Sequence, residues 1–182
     1  MQSRPWLALA VAGALLAACG EHSERISLAN GKLRLEGTEV TIVKSKGPDA
    51  HLTAAGELRI GGEVVVLTPE QRAQVQKYYA ATVAIRGHAI ETGKAGAEVG
   101  ATAAKEVVSG LLHGDASQIG SKIEAKAEIV KAAARGICSD VADIRDAQQS
   151  LVTTLESFRP YAVVEEADIA DCRRDVSGTP AS

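Results

Sequence analysis

The sequence predicts an α+β protein: a small N-terminal antiparallel β-sheet, then a long antiparallel helical hairpin, with the C-terminal tail tied back by a disulfide. Three observations predict it. Between residues 26 and 67 apolar side chains recur with period two, between 68 and 159 they recur in steps of three and four, and Cys138 and Cys172 flank the end of the second region. Period two marks a half-buried strand, whereas steps of three and four line one face of a helix.

In the first region Leu33 and Leu35 alternate with Lys32, Arg34 and Glu36, and Val40 and Ile42 flank Thr41. Lys46-Gly47-Pro48-Asp49 reads as a turn. Glu57-Leu58-Arg59-Ile60, Gly61-Gly62 and Glu63-Val64-Val65-Val66-Leu67 read as a hairpin with a two-residue turn, because glycine accepts the positive φ such turns need. Thr68-Pro69-Glu70-Gln71 ends the strands: Thr68 is a helix cap, Pro69 suits the first helical position, and Gln71 is spaced to bond back to the Thr68 amide. Val75, Tyr78, Tyr79, Thr82 and Val83 then share one helical face.

His113-Gly114-Asp115 breaks that helix, and Asp115 with Gln118 forms a second cap. A stripe follows through Ile119, Ile123, Ala127, Val130, Ala134, Ile137, Val141, Ile144, Gln148, Leu151, Leu155 and Phe158. It is heptad-like, with Gln148 its one polar member. The spacing predicts a helix over 116–158, with a kink at Gly136 and a stop at Pro160.

Between these helices lies a Gly/Ala-rich stretch in which Gly93, Gly96, Gly100 and Ala104 form a candidate helix-packing or interaction face. Glycine inside a helix costs up to about 1 kcal/mol relative to alanine, so close backbone approach is the expected compensation. Charges at Glu91, Lys94, Glu98, Lys105 and Glu106 exclude a membrane span. Packing against the 116–158 helix is preferred to an oligomer seam or a membrane-active glycine zipper, since the short connection at 111–115 suits antiparallel neighbours.

The first nineteen residues have the three parts of a secretory signal: charge at Arg4, an apolar run from Trp6 to Leu16, and small residues Ala17 and Ala18 before Cys19. The apolar run is too short to span a bilayer, which takes about 20 residues. Leu16-Ala17-Ala18-Cys19 resembles the lipobox of bacterial lipoproteins. The resemblance implies cleavage before Cys19, diacylglycerol on its thiol and an acylated new amine. Each buried acyl CH₂ contributes about 0.8 kcal/mol, so three chains would hold a protein on a membrane almost permanently. By the same resemblance, Gly20 in place of the Asp that retains such lipoproteins in the inner membrane implies sorting to the periplasmic face of the outer membrane of a Gram-negative cell. The expected segments are a signal peptide at 1–18, a lipidated tether at 19–25, a β-rich subdomain at 26–67, a helical hairpin at 68–159 and an extended tail at 160–182.

With Cys19 acylated, Cys138 and Cys172 remain, and in an oxidising compartment an even pair reads as a disulfide. The rival reading, a redox or metal pair, lacks CxxC spacing and a nearby His. The chain-entropy model gives such a bridge about 4 kcal/mol. From Cys138 to Phe158 a helix climbs about 30 Å. The return from 160 to 172 covers about 40 Å if extended. The tail is therefore expected to be largely extended, unless the helix ends well before Phe158.

Composition narrows the chemistry. The formal net charge is −3, and loss of Arg4 with the leader makes it −4. That balance, with no basic stripe, argues against nucleic acid as a partner. Aromatics are 3% of the chain, so stacking on bases or sugars is not its main chemistry. His22, His51, His88 and His113 show no zinc spacing. No G-x-S-x-G, P-loop or dinucleotide fingerprint occurs. The acids from Glu165 to Asp175 lack the spacing of a calcium loop. No catalytic residue, metal or cofactor is assigned, and the chain is read as a non-enzyme.

Two stretches, Gly56 to Arg72 with Tyr78-Tyr79, and Ile137 to Leu151 around Cys138, resemble the YggN-like family of envelope proteins. The resemblance implies a secreted envelope domain of unknown function and supplies no active site. The leading functional expectation is a non-catalytic outer-membrane lipoprotein, held by its lipid anchor, that acts in envelope structure or binds an envelope partner. The sheet edge or the small-residue helix would be its contact surface. The alternative is a carrier or sensor of an apolar ligand such as lipid, held between sheet and hairpin in a cavity of about 300 Å³ or more. The partner and the oligomeric state are left open by the sequence.

Overall fold

The structure, a computed structural model, describes residues 25–113 and 119–177, with 104–113, 119–123, 125 and 126 described as backbone only. The leader, Cys19, Gly20 to Glu24 and the Asp115–Gln118 cap lie outside the described residues.

The sheet is a six-stranded antiparallel meander in chain order: β1 (Arg25–Leu28), β2 (Leu33–Glu36), β3 (Glu39–Ile42), β4 (Ala50–Leu52), β5 (Leu58–Ile60) and β6 (Glu63–Val64). Register places Ile26, Leu35, Val40, Leu52 and Leu58 in one row across the sheet, and Leu28, Leu33, Ile42, Ala50 and Ile60 in the next. Both rows face the helices, as period-two alternation requires. The opposite face carries the row Ser27, Arg34, Thr41, His51, Arg59 and Val64. The Gly61-Gly62 turn has φ of +60° and +87°, the two positive values a tight hairpin needs. β6 is shorter than the sequence suggests. The strand covers Glu63 and Val64, Val65 N adds a last bond to the Leu58 carbonyl (2.9 Å), and Val66 stands 93% exposed.

Helix α1 runs from Pro69 to His113 and α2 from Ile119 to Thr154. The predicted capping box forms: Gln71 N donates to Thr68 Oγ1 (3.2 Å) and Thr68 N donates to Gln71 Oε1 (2.9 Å). One core fills the space between sheet and helices. Val75, Tyr78, Ile85, Ile144, Leu151 and Phe158 all lie within it. Gly56 closes one end, at φ +75°, where a Cβ would stand 2.7 Å from the Arg72 carbonyl oxygen. Only glycine meets both demands.

Two expectations are corrected. α2 ends at Thr154 rather than Phe158, because Leu155 turns to extended backbone (φ −134°, ψ 99°). Pro160 therefore stops no α-helix and sits inside a 3₁₀ segment, Glu156–Tyr161. The tail is not extended throughout: after Ala162–Glu165 it forms α3, Glu166–Ser177. With α2 ending early the return path is shorter, so a short extended stretch followed by a helix reaches Cys138. The residue that fixes this path is the polar member of the stripe. Gln148 is buried. Its oxygen accepts from the Val163 and Val164 amides (2.9 and 3.0 Å), and its amide donates to the Val164 carbonyl (2.8 Å). One side chain thus answers three backbone groups that would otherwise be buried without partners.

Candidate functional site

The described chemistry concentrates where α3 meets α2. Ile169 is buried and seats α3 on the core, and Arg145 pairs with Glu166 at 3.5 Å. Cys138 and Cys172 are bonded (S–S 2.04 Å, Cα–Cα 5.6 Å), as the even pair suggested. A groove lies on each side of the bridge. One, of about 300 Å³, has an apolar floor that includes Ile137, Val141 and Ile144, and a rim of Asp168, Asp171 and Asp175. The other, of about 420 Å³, is lined by Arg135 and Ser139 from α2 and by Arg173, Val176 and Ser177 from α3.

Two residues along α2 from Cys138, a contact joins α2 to α1. His88 Nδ1 lies 2.7 Å from Asp140 Oδ2. A Cβ on Gly136 would stand 2.9 Å from the His88 ring, so glycine is what lets the imidazole lie across α2. Neither side chain is hydrogen-bonded to a hydroxyl or thiol among the described residues, so the pair joins helices without an adjoining nucleophile. α2 continues helical through Gly136. The sequence marked this glycine as a kink, and its role is close approach.

The glycines chosen from the sequence behave differently. Gly93, Gly96 and Gly100 are exposed, and a Cβ on each would meet nothing within 4 Å among the described side chains. Among the described side chains, Gly93, Gly96 and Gly100 meet nothing that would bring α1 onto α2, which corrects the preferred packing reading for these three. Ala104 follows them along α1. The half-buried residues from 91 to 103 of α1 are Thr92, Ala95, Val99 and the adjacent Thr102 and Ala103, and α2 offers Ala127, Val130 and Ala134. These repeat in steps of three and four, so the seam is rotated away from the glycines. The signal was present in Thr92 and Val99, but alanine fills every face and blurs the phase.

On the outer sheet face His51 Nδ1 lies 2.8 Å from Glu39 Oε1 and 3.2 Å from Thr41 Oγ1, and Arg59 pairs with Glu57 at 2.6 Å. The His51 contacts cross from β4 to β3, whereas Arg59 and Glu57 are neighbours two residues apart along the chain, and all are partly solvated. Among the described residues no group of three or more His, Cys, Asp or Glu gathers as a metal site, and no helix is long and apolar enough to cross a membrane. Two tyrosines are perturbed. Burial pushes the Tyr78 phenol above its usual range, and its hydroxyl has no hydrogen-bond partner among the described residues. Burial and nearby Asp49 raise Tyr161, whose hydroxyl donates to the Pro48 carbonyl (2.9 Å).

The chain matches no family model, no curated protein and no solved structure.

Proposed function

We propose that this is a lipid-anchored envelope protein of the YggN-like kind, held on the periplasmic face of the outer membrane, that acts without catalysis by presenting a surface to an envelope partner. The observation that carries the reading is Leu16-Ala17-Ala18-Cys19 at the end of an apolar run. The bonded pair Cys138–Cys172 supports it, since such bridges persist in oxidising compartments. The shape supports the partner-binding half. Val64 and Val66 are exposed at the short β6 edge, and Ile90 and Ile129 are exposed on the hairpin. An uncovered strand edge recruits another chain unless it is blocked.

The test is Cys19→Ser, followed by membrane fractionation and intact-mass measurement. The parent should pellet with the outer membrane and carry the mass of acyl chains, and the variant should be soluble. A variant that pellets like the parent overturns the anchor. A second reading, a carrier of an apolar ligand, is favoured by the groove of about 300 Å³ beside the bridge. That groove lies at the margin of the core, because Tyr78, Leu151 and Phe158 already fill the space between sheet and hairpin.

A further inference from the structure

We infer that the groove on the α2–α3 side of the disulfide is a binding site for a phosphate ester, held between the Arg135 and Arg173 guanidiniums. Four features point to it. The groove is lined by two arginines and two serines and by no acidic residue, in a chain whose acids outnumber its bases. The arginines come from different helices, and the Cys138–Cys172 bridge, with Cα atoms 5.6 Å apart, fixes those helices against each other. Arg135 precedes Cys138 by one turn and Arg173 adjoins Cys172, so the covalent link presets their approach.

The third feature is that these guanidiniums are left available. On neighbouring stretches Arg145 is 3.5 Å from Glu166 and Arg174 is 2.8 Å from Asp171. Arg173 makes no ion pair among the described residues. Arg135 has only a 3.8 Å contact with Glu128, whose other oxygen is held by Lys131 at 2.8 Å. The fourth is size. A volume of about 420 Å³ holds a phosphate together with its ester substituent, which Ala142 and Val176 would flank. Planar forks suit phosphate, and two of them match the charge of a monoester dianion. The carbonyl end of α3 lies nearby and opposes an anion, but it carries only about half a charge against two full ones.

The site does not depend on the membrane anchor, so it is tested on the full-length chain whether or not that chain is lipidated. Arginine Nε–H and Ser139 amide resonances are followed by NMR during titration with inorganic phosphate, glycerol phosphate, dihexanoyl phosphatidic acid and dihexanoyl phosphatidylcholine. Saturable shifts at Arg135 and Arg173 with the phosphomonoesters are expected, weakening as salt rises. Arg173→Gln and Arg135→Gln should each raise the dissociation constant about tenfold or more, with the disulfide and the thermal midpoint retained. Arg174→Gln, whose partner is Asp171, should leave binding unchanged. Phosphatidic acid binding at least tenfold tighter than glycerol phosphate identifies a lipid headgroup as the source, and equal binding identifies a free ester. The proposal is overturned if none of the phosphates shifts these resonances at millimolar concentration, or if Arg173→Gln binds as well as the parent.

Discussion

The two ends of the helical hairpin are built from the same pair of helices and held by different means. At the base, α1 as far as Ile85 and α2 from Cys138 are pressed against the sheet, and among the described residues every buried side chain of the two helices lies there. Beyond His88, α1 runs on for about 40 Å to His113, alongside the N-terminal part of α2. Among the described side chains of that distal part none is buried, and the seam is Thr, Ala and Val. Heptad spacing continues through both parts, but the size of the seam residues changes. Spacing therefore decides which face turns inward, whereas residue volume decides how much stability that face contributes, at about 25 cal/mol for each Å² of apolar surface removed from water. The base is expected to set global stability, and the distal hairpin to open locally at lower cost.

The largest break in this contrast should come from Gln148→Leu. It keeps the bulk and removes the amide that serves Val163 N, Val164 N and Val164 O. Each buried group left without a partner costs about 1–3 kcal/mol, so a loss of about 3–5 kcal/mol in urea unfolding is expected. A loss under about 1 kcal/mol would mean that water replaces the amide. Opening the disulfide comes next. The Cys138–Cys172 bridge spans 34 residues in sequence, and the chain-entropy model gives about 4 kcal/mol for a loop of that order. The double Cys→Ser variant should lose about 3–4 kcal/mol, with hydrogen exchange accelerated first in α3 and little changed in the distal hairpin. Equal acceleration in both regions would show that they unfold as one unit.

Legibility in the sequence follows the same division. The strands were readable because Leu33, Leu35, Val40, Ile42 and Leu58 each bury one side of a meander, and the α1 start because Thr68 and Gln71 form a local motif. Both are short-range signals. β4 and β1 carried less: Ala50–Leu52 is three residues long, and β1 is only half-buried. α3 was hidden because a single residue, Ile169, is buried along it, which leaves no periodicity to read. The candidate glycine face was read from spacing alone, and spacing of small residues does not say which side is inward. His88 and Gly136 hold that information, but only as a pair distant in sequence. Arg135 and Arg173 likewise meet through the bridge and not through any local pattern.

Glycines at the two ends of the hairpin answer differently to an added methyl group. Gly136→Ala gains up to about 1 kcal/mol of helix propensity but drives a Cβ into the His88 ring and loosens its contact with Asp140. A net loss of about 1 kcal/mol is expected, since crowding costs about 1–3 kcal/mol. Gly93→Ala and Gly100→Ala meet open space and should each raise stability by up to about 1 kcal/mol. If Gly93→Ala lowers the thermal midpoint of the purified protein, the face is already packed against a second copy. If it raises the midpoint yet abolishes co-purification of an envelope partner, the small residues serve that partner.

The smallest effect, and the one that probes the base most finely, is Tyr78→Phe. The Tyr78 hydroxyl is buried without a partner among the described residues, and its phenol is raised above the usual value of about 10. A raised phenol keeps its proton in the folded state while the unfolded chain releases it. Stability from this group is therefore complete below about pH 10 and declines as pH climbs beyond it, since the native state then binds more protons. Tyr161 is raised in the same direction and adds to the decline. Removing the Tyr78 hydroxyl should stabilise by about 1 kcal/mol at pH 7, because a desolvated polar group is lost with no hydrogen bond broken. It should also flatten part of the alkaline decline. Tyr161→Phe separates the two roles: it loses the bond to the Pro48 carbonyl and about 1 kcal/mol at pH 7, and it leaves the Tyr78 share of the decline in place. If Tyr78→Phe instead destabilises at pH 7, the hydroxyl has a partner in solution, and the core between sheet and hairpin admits a water that the apolar seam around Phe158 would otherwise exclude.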